Sequence, residues 1–287
     1  MPRTPPAADA PARGAPRPLA RGRAPSVRDG IARFGRSNAV HVWHGRAADL
    51  PDPADVALLD ATELDTFRRR GAPFAGRYAA AHAAVRRILA DHYLGGPPAA
   101  VRFGRHPCPR CGDPLHGRPV ILAPATRLDF SLSHSGPYWL LAVTAGGQVG
   151  VDIEQHTGRG LRDVPRIALS DAELDVLSGA GNEREHEELF LRAWTRKEAV
   201  LKAVGVGIVA DLRGLDALTG APGPVRVDHA EPGAPGAWTV EDLRLGPGRS
   251  AALAREHTRP GPVVLRPPDP PATRYDRSRG DPAYRGL

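Results

Sequence analysis

The feature that most constrains the fold is an internal repeat. The segments "LDATELDTF" (residues 59–67) and "LSDAELDVL" (residues 169–177) align without a gap, 110 positions apart. Each begins with a small polar residue followed three positions later by glutamate, a capping pattern that starts helices. A long helical pattern follows each segment, at residues 76–96 and 185–207. The repeat predicts two similar half-domains. Chance resemblance between two capped helices is the alternative.

Composition and charge fit a globular protein with charged ends. The chain has 287 residues, enough for one large domain or two of about 140. Residues 1–37 hold eight arginines against two aspartates (+6), and residues 257–287 hold six against three (+3), so against a net charge of +7 the middle of the chain is near −2. Both ends are rich in Pro, Gly and Arg. We expect disordered, solvated tails at 1–37 and 259–287 rather than nucleic-acid-binding arms.

The location of the protein follows from what its sequence lacks. The N-terminal segment has no continuous apolar stretch of the kind found in secretory signals. No run approaches the roughly 18 apolar residues of a membrane span. The two cysteines, Cys108 and Cys111, form one C-x-x-C pair and no disulfide framework. These features predict a cytoplasmic protein with no membrane partner.

Three carboxylates stand where they can meet. The segment "GVDIE" (residues 150–154) has the character of a strand, and alternate residues on a strand share a face, so Asp152 and Glu154 point the same way. Glu198 lies beside the apolar stripe of the second long helix, four residues before Lys202. If helix and strand pack together, the carboxylates converge, and Mg²⁺ prefers such oxygen ligands. The alternative is that Glu198 and Lys202 form an ordinary surface ion pair.

Four motifs together resemble one enzyme family. "GVDIE" and "WTRKEAVLK" (residues 194–202) resemble the paired signature of the 4′-phosphopantetheinyl transferases, specifically the longer surfactin-synthetase-activating type, which is an internally duplicated monomer. "FSLSHSG" (130–136) and "HGRP" (116–119) look like two further motifs of that family in the same order. The resemblance covers roughly residues 55–210.

The resemblance implies an architecture and a reaction. The fold class expected is α+β, a 4′-phosphopantetheinyl transferase-like pseudo-dimer of two subdomains at 38–148 and 149–258. Each would be a long helix packed on a small, mostly antiparallel sheet. The activity implied is transfer of the 4′-phosphopantetheine moiety of coenzyme A to a serine of an apo acyl or peptidyl carrier protein, releasing 3′,5′-ADP. Carrier protein and coenzyme A would be the partners, and Mg²⁺ the cofactor.

Carried over by position, the resemblance implies roles for individual residues. The metal ligands would be Asp152, Glu154 and Glu198. The catalytic residues would be Asp152, Glu198 and Lys202, with the serine proton leaving through Glu198 or through a water. The cofactor-binding residues would be Arg77, Arg118, Ser133, His134 and Lys202, and Arg68, Arg69 and Arg70 are weaker candidates.

Within that scheme the 3′-phosphate would lie at Ser133 and His134, while Arg118 stands where the family usually has lysine. The first half has no acidic site of its own. Along the two long helices, Arg86 falls opposite Glu198 and Ala90 opposite Lys202. We therefore expect one composite site in the cleft between the two subdomains.

One segment and two other functions remain as alternatives. In "HPCPRCGDPLHG", four side chains could bind Zn²⁺, but their irregular spacing favours a cysteine-bearing loop that leads into Arg118. The candidate ligands are His106, Cys108, Cys111 and His116. A Mg²⁺-dependent phosphohydrolase acting on a nucleotide diphosphate could use the same carboxylates, and a zinc-knuckle nucleic-acid-binding protein could use the basic ends. Neither accounts for the four ordered motifs.

Overall fold

The structure is a computed structural model that describes residues 34–114, 116–158, 164–207, 211–217 and 219–267. It contains two four-stranded sheets and a separate two-stranded hairpin, with helices packed against them. The predicted α+β class is confirmed. Among the described helices, none combines the length and the apolar character needed to cross a membrane.

The first half carries one sheet, a long helix and the hairpin. Its elements are β1 (Val40–Arg46), α1 (Pro53–Val56), α2 (Ala61–Arg69), α3 (Phe74–Leu89), β2 (Arg102–Arg105), β3 (Pro119–Ala123), β4 (Leu128–Ser135) and β5 (Tyr138–Ala145). A π-helical turn (Ala90–Leu94) and a short 3₁₀ helix (Pro98–Ala100) follow α3. Strands β2 and β3 form the hairpin, while β1, β5 and β4 are antiparallel neighbours in the sheet.

The second half repeats the plan with a longer helix. Its elements are β6 (Val149–Gln155), α4 (Val164–Ala168), α5 (Asp171–Ser178), α6 (Glu183–Val204), β7 (Val225–Asp228), β8 (Ala237–Asp242), β9 (Arg249–Glu256) and β10 (Val263–Arg266). The order β6-β9-β8-β7 makes one antiparallel sheet, and α6 packs across β6 and β9.

Both predicted helix starts are confirmed. The side chain of Asp60 accepts a hydrogen bond from the Glu63 N–H, and the side chain of Glu63 accepts one from the Asp60 N–H. Ser170 and Glu173 form the same reciprocal pair at the start of α5. Each pair satisfies two backbone donors that the first turn of a helix leaves free. The repeated segments therefore have the same local structure.

Each capping glutamate also receives a buried cation from the long helix of its own half. Arg86 of α3 lies 2.7 Å from Glu63, and Lys197 of α6 lies 2.5 Å from Glu173. Both cations are almost fully buried. Lys197 interrupts the apolar stripe of α6 because it neutralises a buried carboxylate. In role, Arg86 thus corresponds to Lys197, one residue away from the predicted match with Glu198.

The predicted tails are too long at both ends. Strand β10 pairs in parallel with β1, with Val263 opposite Val40, so residues 259–267 are not part of a disordered tail. Val263 packs against the hydrophobic cluster between the sheets, which explains the pairing. At the other end, Phe34 is buried and its ring centroid lies 4.3 Å from that of His41. Residues 1–33 and 268–287 of the predicted tails lie outside the described residues.

The two sheets meet along β4 and β6 through serine side chains. Three hydroxyls on alternate positions of β4 accept hydrogen bonds from alternate N–H groups of β6: Ser131 from Val151, Ser133 from Ile153, and Ser135 from Gln155. A hydrophobic cluster drawn from both sheets fills the space between them. The contact fixes β6 relative to the first half, and β6 carries the predicted acidic site.

Candidate active site

Close packing of α6 on β6 depends on a glycine. A β-carbon built on Gly150 would lie 1.9 Å from the Ala199 carbonyl oxygen and 2.4 Å from the Ala203 nitrogen. These are backbone atoms, so any larger residue would push the helix away from the strand. The glycine of "GVDIE" therefore allows the strand motif and the helix motif to touch. The predicted packing of this helix on this strand is confirmed.

Asp152 lies at the centre of the contact. Only 2% of the residue is exposed. Its Oδ1 accepts hydrogen bonds from Ser133 Oγ at 2.8 Å and from Lys202 Nζ at 2.5 Å. Its Oδ2 is buried and has no hydrogen-bond partner. Burial raises the pKa of Asp152, and the nearby Lys202 ammonium opposes that rise.

Glu198 and Glu154 belong to the same electrostatic neighbourhood. Burial, and then the charges of Asp152 and Glu154, raise the pKa of Glu198 to about 7. Its Oε1 is buried and also has no partner. Burial is the main cause of the raised pKa of Glu154, whose carboxylate accepts hydrogen bonds from Ser135 Oγ at 2.6 Å and from Trp194. Trp194 of α6 therefore also contacts the site.

This donor set fits a hard divalent cation. The groups are oxygen donors, two of their oxygens are buried without partners, and all three pKa values are raised. A bound cation would relieve each of these conditions, because it supplies the missing positive charge and accepts the unused lone pairs. Mg²⁺ matches such ligands. Of the three, Asp152 and Glu198 have the free oxygens that a metal would need.

The oxygens of the three carboxylates nevertheless lie farther apart than the ligand atoms of a closely spaced metal site. Within the described parts of the chain, the group of three side chains whose ligand atoms all lie within 4.8 Å of one another is formed instead by Cys108, Cys111 and His116. Mg²⁺ usually keeps several water ligands, so a looser carboxylate set is compatible with it. That Asp152, Glu154 and Glu198 all bind one ion stays a prediction.

Ser133 has a different position from the one expected of a phosphate ligand. It is 5% exposed, and its hydroxyl donates to Asp152 while it accepts from the Ile153 N–H and from Lys202. A hydroxyl has one proton and two lone pairs, so these bonds use all of them. In this structure Ser133 positions Asp152 and Lys202, and its contact with the 3′-phosphate stays a prediction.

His134 lies on the other face of β4, among cations. Desolvation, followed by the charges of His82, Arg70 and Lys202, lowers the pKa of His134 to about 4, although part of the residue is exposed. Arg70 and His82 come from the first half of the chain. The side chains of Arg70, His82, His134 and Lys202 thus form a cluster drawn from both halves beside the carboxylates. A pKa near 4 leaves His134 neutral at pH 7, so Arg70 and Lys202 carry the positive charge of this cluster. Such a cluster is suited to bind phosphate groups.

His82 was not found from the sequence, and Arg70 was only a weaker candidate. A usable signal exists: His82 lies four residues before Arg86, so both point to the same side of α3. Both side chains bind Glu63, His82 Nδ1 at 2.7 Å from Glu63 Oε1. The first half therefore supplies cations through the same network that caps α2.

The two predicted arginines are each held by a local carboxylate. Arg118 pairs with Asp129, whose pKa burial raises to about 6. A β-carbon on Gly205 would lie 2.6 Å from Arg118 Cγ, so the arginine stem packs against the end of α6. Arg77, in the first turn of α3, donates from Nε to Asp49 Oδ1 at 2.7 Å. Their contact with a nucleotide stays a prediction.

Comparison with known proteins matches the region that holds the acidic site. A family model described as the 4′-phosphopantetheinyl transferase superfamily matches residues 148–255. Asp152, Glu154, Glu198 and Lys202 all lie inside this segment.

Individual relatives cover different shares of the chain. The 4′-phosphopantetheinyl transferase HetI of Nostoc sp. is 28% identical over 225 residues, which are 76% of this chain and 88% of HetI. The 4′-phosphopantetheinyl transferase psf-1 of Bacillus pumilus is 31% identical over 48% of this chain and 57% of psf-1. The L-aminoadipate-semialdehyde dehydrogenase-phosphopantetheinyl transferase of Pongo abelii is 30% identical over 35% of this chain, and the match spans only 36% of that protein.

Proposed function

The chain belongs to the 4′-phosphopantetheinyl transferase superfamily, and on that premise we propose that it transfers the 4′-phosphopantetheine arm of coenzyme A to a serine of an apo acyl or peptidyl carrier protein. The second product is 3′,5′-ADP. One observation carries the proposal: Asp152 and Glu198 present buried oxygens without partners beside Lys202, inside the matched segment.

The proposed metal site uses the three carboxylates. Asp152 and Glu198 hold Mg²⁺ with their unpartnered oxygens, and Glu154, anchored by Ser135, completes the acidic face. When bound, Mg²⁺ neutralises charge on the pyrophosphate of coenzyme A. Lys202 now bonds Asp152 Oδ1 and is partly exposed, so it can turn toward the phosphate that leaves.

The proposed chemical step is a displacement at phosphorus. The carrier serine oxygen forms a bond to the β-phosphorus, and the bond from that phosphorus to the bridging oxygen breaks. The bridging oxygen stays on the 5′-phosphate of 3′,5′-ADP, beside Lys202. Glu198 accepts the serine proton. Without a cation the pKa of Glu198 is raised to about 7, and a bound cation would lower it again, so Glu198 suits this role by its position in the site rather than by unusual basicity.

The nucleotide is proposed to lie across both halves. The cluster around His134 receives the 3′-phosphate, with the neutral imidazole of His134 as a hydrogen-bond donor, as first expected, and Arg70 as a positive charge beside it. Arg77 and Arg118 contribute to nucleotide binding from the first half. Positive charge from one half and carboxylates from the other then make one site per chain.

We also propose that the two halves are a pseudo-dimer within a monomer. The halves extend from residue 34 to about 148 and from 149 to about 258, with β10 returning to the first sheet. Equivalent capping boxes, each with a buried cation from the long helix, support this relationship.

The deciding experiment is intact-mass analysis of an apo carrier protein incubated with coenzyme A, Mg²⁺ and the protein. We expect a mass gain of one phosphopantetheine group and an equal amount of 3′,5′-ADP. An Asp152→Asn variant with native circular dichroism is the matched control and gives no gain. Rapid release of 3′,5′-ADP without a carrier would instead identify a phosphohydrolase.

A further inference from the structure

The loop between β2 and β3 forms a compact turn around two cysteines. The Gly112 N–H donates to the Cys108 carbonyl oxygen at 2.8 Å, and the Cys108 N–H donates to the Asp113 carbonyl oxygen at 3.1 Å. Gly112 has φ of 72°, in the left-handed region that glycine adopts readily. These features hold Cys108 and Cys111 on one tight turn, three residues apart. Cysteine pairs with this spacing are common in zinc sites.

A histidine from the same loop completes a group of three metal-binding side chains. The ligand atoms of Cys108, Cys111 and His116 all lie within 4.8 Å of one another. His116 Nδ1 lies 3.4 Å from Cys111 Sγ. Two ligands of a tetrahedral zinc ion, one sulfur and one nitrogen, are separated by roughly 3.6 Å, given the usual Zn–S and Zn–N bond lengths. The spacing of the side chains therefore already suits the ion.

The surroundings also match a zinc site. His116 Nε2, on the ring edge away from the cysteines, lies 3.8 Å from Asp113 Oδ2. Zinc-bound histidines usually have a carboxylate or carbonyl on that side, which orients the ring.

The loop comes from the first half but packs against the second. Cys108 is 4% exposed and belongs to the hydrophobic cluster formed mainly by α6 and the second sheet. Arg110 forms an ion pair with Glu231, in the segment between β7 and β8. Two residues after His116, the stem of Arg118 packs against Gly205 at the end of α6. The three potential ligands thus lie among the contacts that join the halves.

We propose that Cys108, Cys111 and His116 bind one zinc ion, with a water as the fourth ligand, and that this ion braces the β2–β3 loop against the second half. Cys111 and His116 are exposed, so water can reach the fourth position. This interpretation replaces the cysteine-bearing loop without metal that the irregular spacing favoured. His106, the fourth candidate from the sequence, does not belong to the group.

The test is the zinc content of the full chain, produced with zinc in the medium and freed of loosely bound metal on a chelating resin. We expect one zinc per chain by plasma mass spectrometry. Replacement of zinc by Co²⁺ should produce sulfur-to-cobalt charge-transfer absorption in the near ultraviolet. It should also produce the visible absorption bands of tetrahedral Co²⁺. Cys111→Ser and His116→Gln each remove an exposed ligand, and we expect at least a tenfold loss of bound zinc. His106→Gln is the matched control and keeps full zinc content.

The bracing role has its own readout. Removal of zinc by a strong chelator should speed hydrogen exchange in residues 106–118 and at the end of α6, and added zinc should restore slow exchange. Absence of zinc and of the cobalt spectrum, with a Cys108–Cys111 disulfide or two free thiols instead, would overturn the proposal. Zinc retained by both Cys111→Ser and His116→Gln would overturn it as well. None of these measurements depends on transferase activity, so they separate this proposal from the proposed function.

Discussion

The long helix of each half provides a buried cation that neutralises a capping glutamate, but the cation is arginine in one half and lysine in the other. Arg86 of α3 neutralises Glu63, and Lys197 of α6 neutralises Glu173, each glutamate being the third residue of a capped helix. One residue further along α6 is Glu198, which faces the acidic strand. One residue further along α3 is Arg87, which pairs with Asp55 of α1.

This difference shows how one scaffold serves two purposes. The buried ion pair holds each long helix to the capped helix before it, so it is needed in both halves. The next residue of each long helix, Arg87 or Glu198, points away from this ion pair, so the pair does not constrain which residue type stands there. The second half uses it to place a carboxylate, whereas the first half contributes cations through Arg70 and His82. The proposed site would need both kinds of group. The carboxylates can hold the metal ion, whereas cations are needed to balance the negative charge that the metal leaves on the diphosphate.

The largest loss of activity is expected when the central carboxylate of the second half is removed. Asp152→Asn keeps the shape of the side chain but removes the charge that faces Lys202 and the metal. We expect the rate of holo-carrier formation, measured by intact mass, to fall at least about 1,000-fold. Asp91→Asn, an exposed carboxylate after the first long helix, is the control and should leave the rate unchanged. A rate for Asp152→Asn within tenfold of the parent at saturating Mg²⁺ would remove Asp152 from the site.

The shared ion pairs can be compared directly by Glu63→Gln and Glu173→Gln. Each change removes the closest carboxylate from a buried cation, and Arg86 keeps only the longer 3.3 Å contact with the more exposed Asp60. We expect Glu63→Gln to lower the free energy of unfolding by about 3 kcal/mol in urea titrations. Glu173→Gln should cost less, because burial already lowers the pKa of Lys197 and the lysine can release its proton. Arg86, by contrast, cannot release its proton, so its buried charge remains in Glu63→Gln.

A pH series distinguishes the two variants further. In Glu173→Gln the folded state holds a lysine with a lowered pKa, so between that pKa and the ordinary lysine value the unfolded chain binds more protons. Its stability should therefore rise with pH, relative to the parent, as the pH approaches the ordinary lysine pKa. Glu63→Gln should show no such rise. Equal pH slopes for the two variants would contradict the assigned difference between Lys197 and Arg86.

A smaller effect is expected where α6 touches β6. Gly150→Ala adds a methyl group against helix backbone, and we expect a loss of about 1–3 kcal/mol of stability from overpacking. The activity should fall as well, because Asp152 and Glu198 move apart. Gly71→Ala, where an added β-carbon meets nothing within 4 Å, is the control in the first half. Unchanged melting of Gly150→Ala would show that the helix can shift without cost.

The smallest effect concerns Arg77 of the first half. Its ion pair with Asp49 is largely a surface contact, so Arg77→Ala should change stability by less than about 1 kcal/mol. If Arg77 binds the nucleotide, the KM for coenzyme A should rise about tenfold with kcat unchanged, the loss of one phosphate contact. Asp49→Asn releases the arginine and should not raise KM. An unaltered KM in Arg77→Ala would exclude Arg77 from the nucleotide site.

Much of the local structure was predictable because its causes lie within a few residues. The capping boxes at Asp60 and Ser170 need only a side chain and an N–H three positions apart. The common face of Asp152 and Glu154 follows from the alternation of a strand. The packing of α6 on β6 was predictable as a possibility, since the apolar stripe of the helix had to be covered.

Other features depend on partners distant in sequence. The pairing of β10 with β1 joins residues more than 200 positions apart, and no local pattern at 263–266 indicates which strand it meets. His134 could be named from a motif, but Arg70, at the end of α2, and His82, in α3, become its neighbours only through the packing of these helices in the fold. The 3.4 Å distance between Cys111 Sγ and His116 Nδ1, which suits zinc ligands, depends in the same way on how the loop folds.

From the sequence alone, side-chain type and short spacing specified the helix starts and the alternation that puts Asp152 and Glu154 on one face of β6, because each depends only on neighbours along the chain. The packing of the two halves specified that Ser133 hydrogen-bonds to Asp152 and that Arg86 matches Lys197 as the cation of a buried ion pair. The physical reason is that burial and charge neutralisation depend on which surfaces exclude water together, and this is settled only when the two sheets pack.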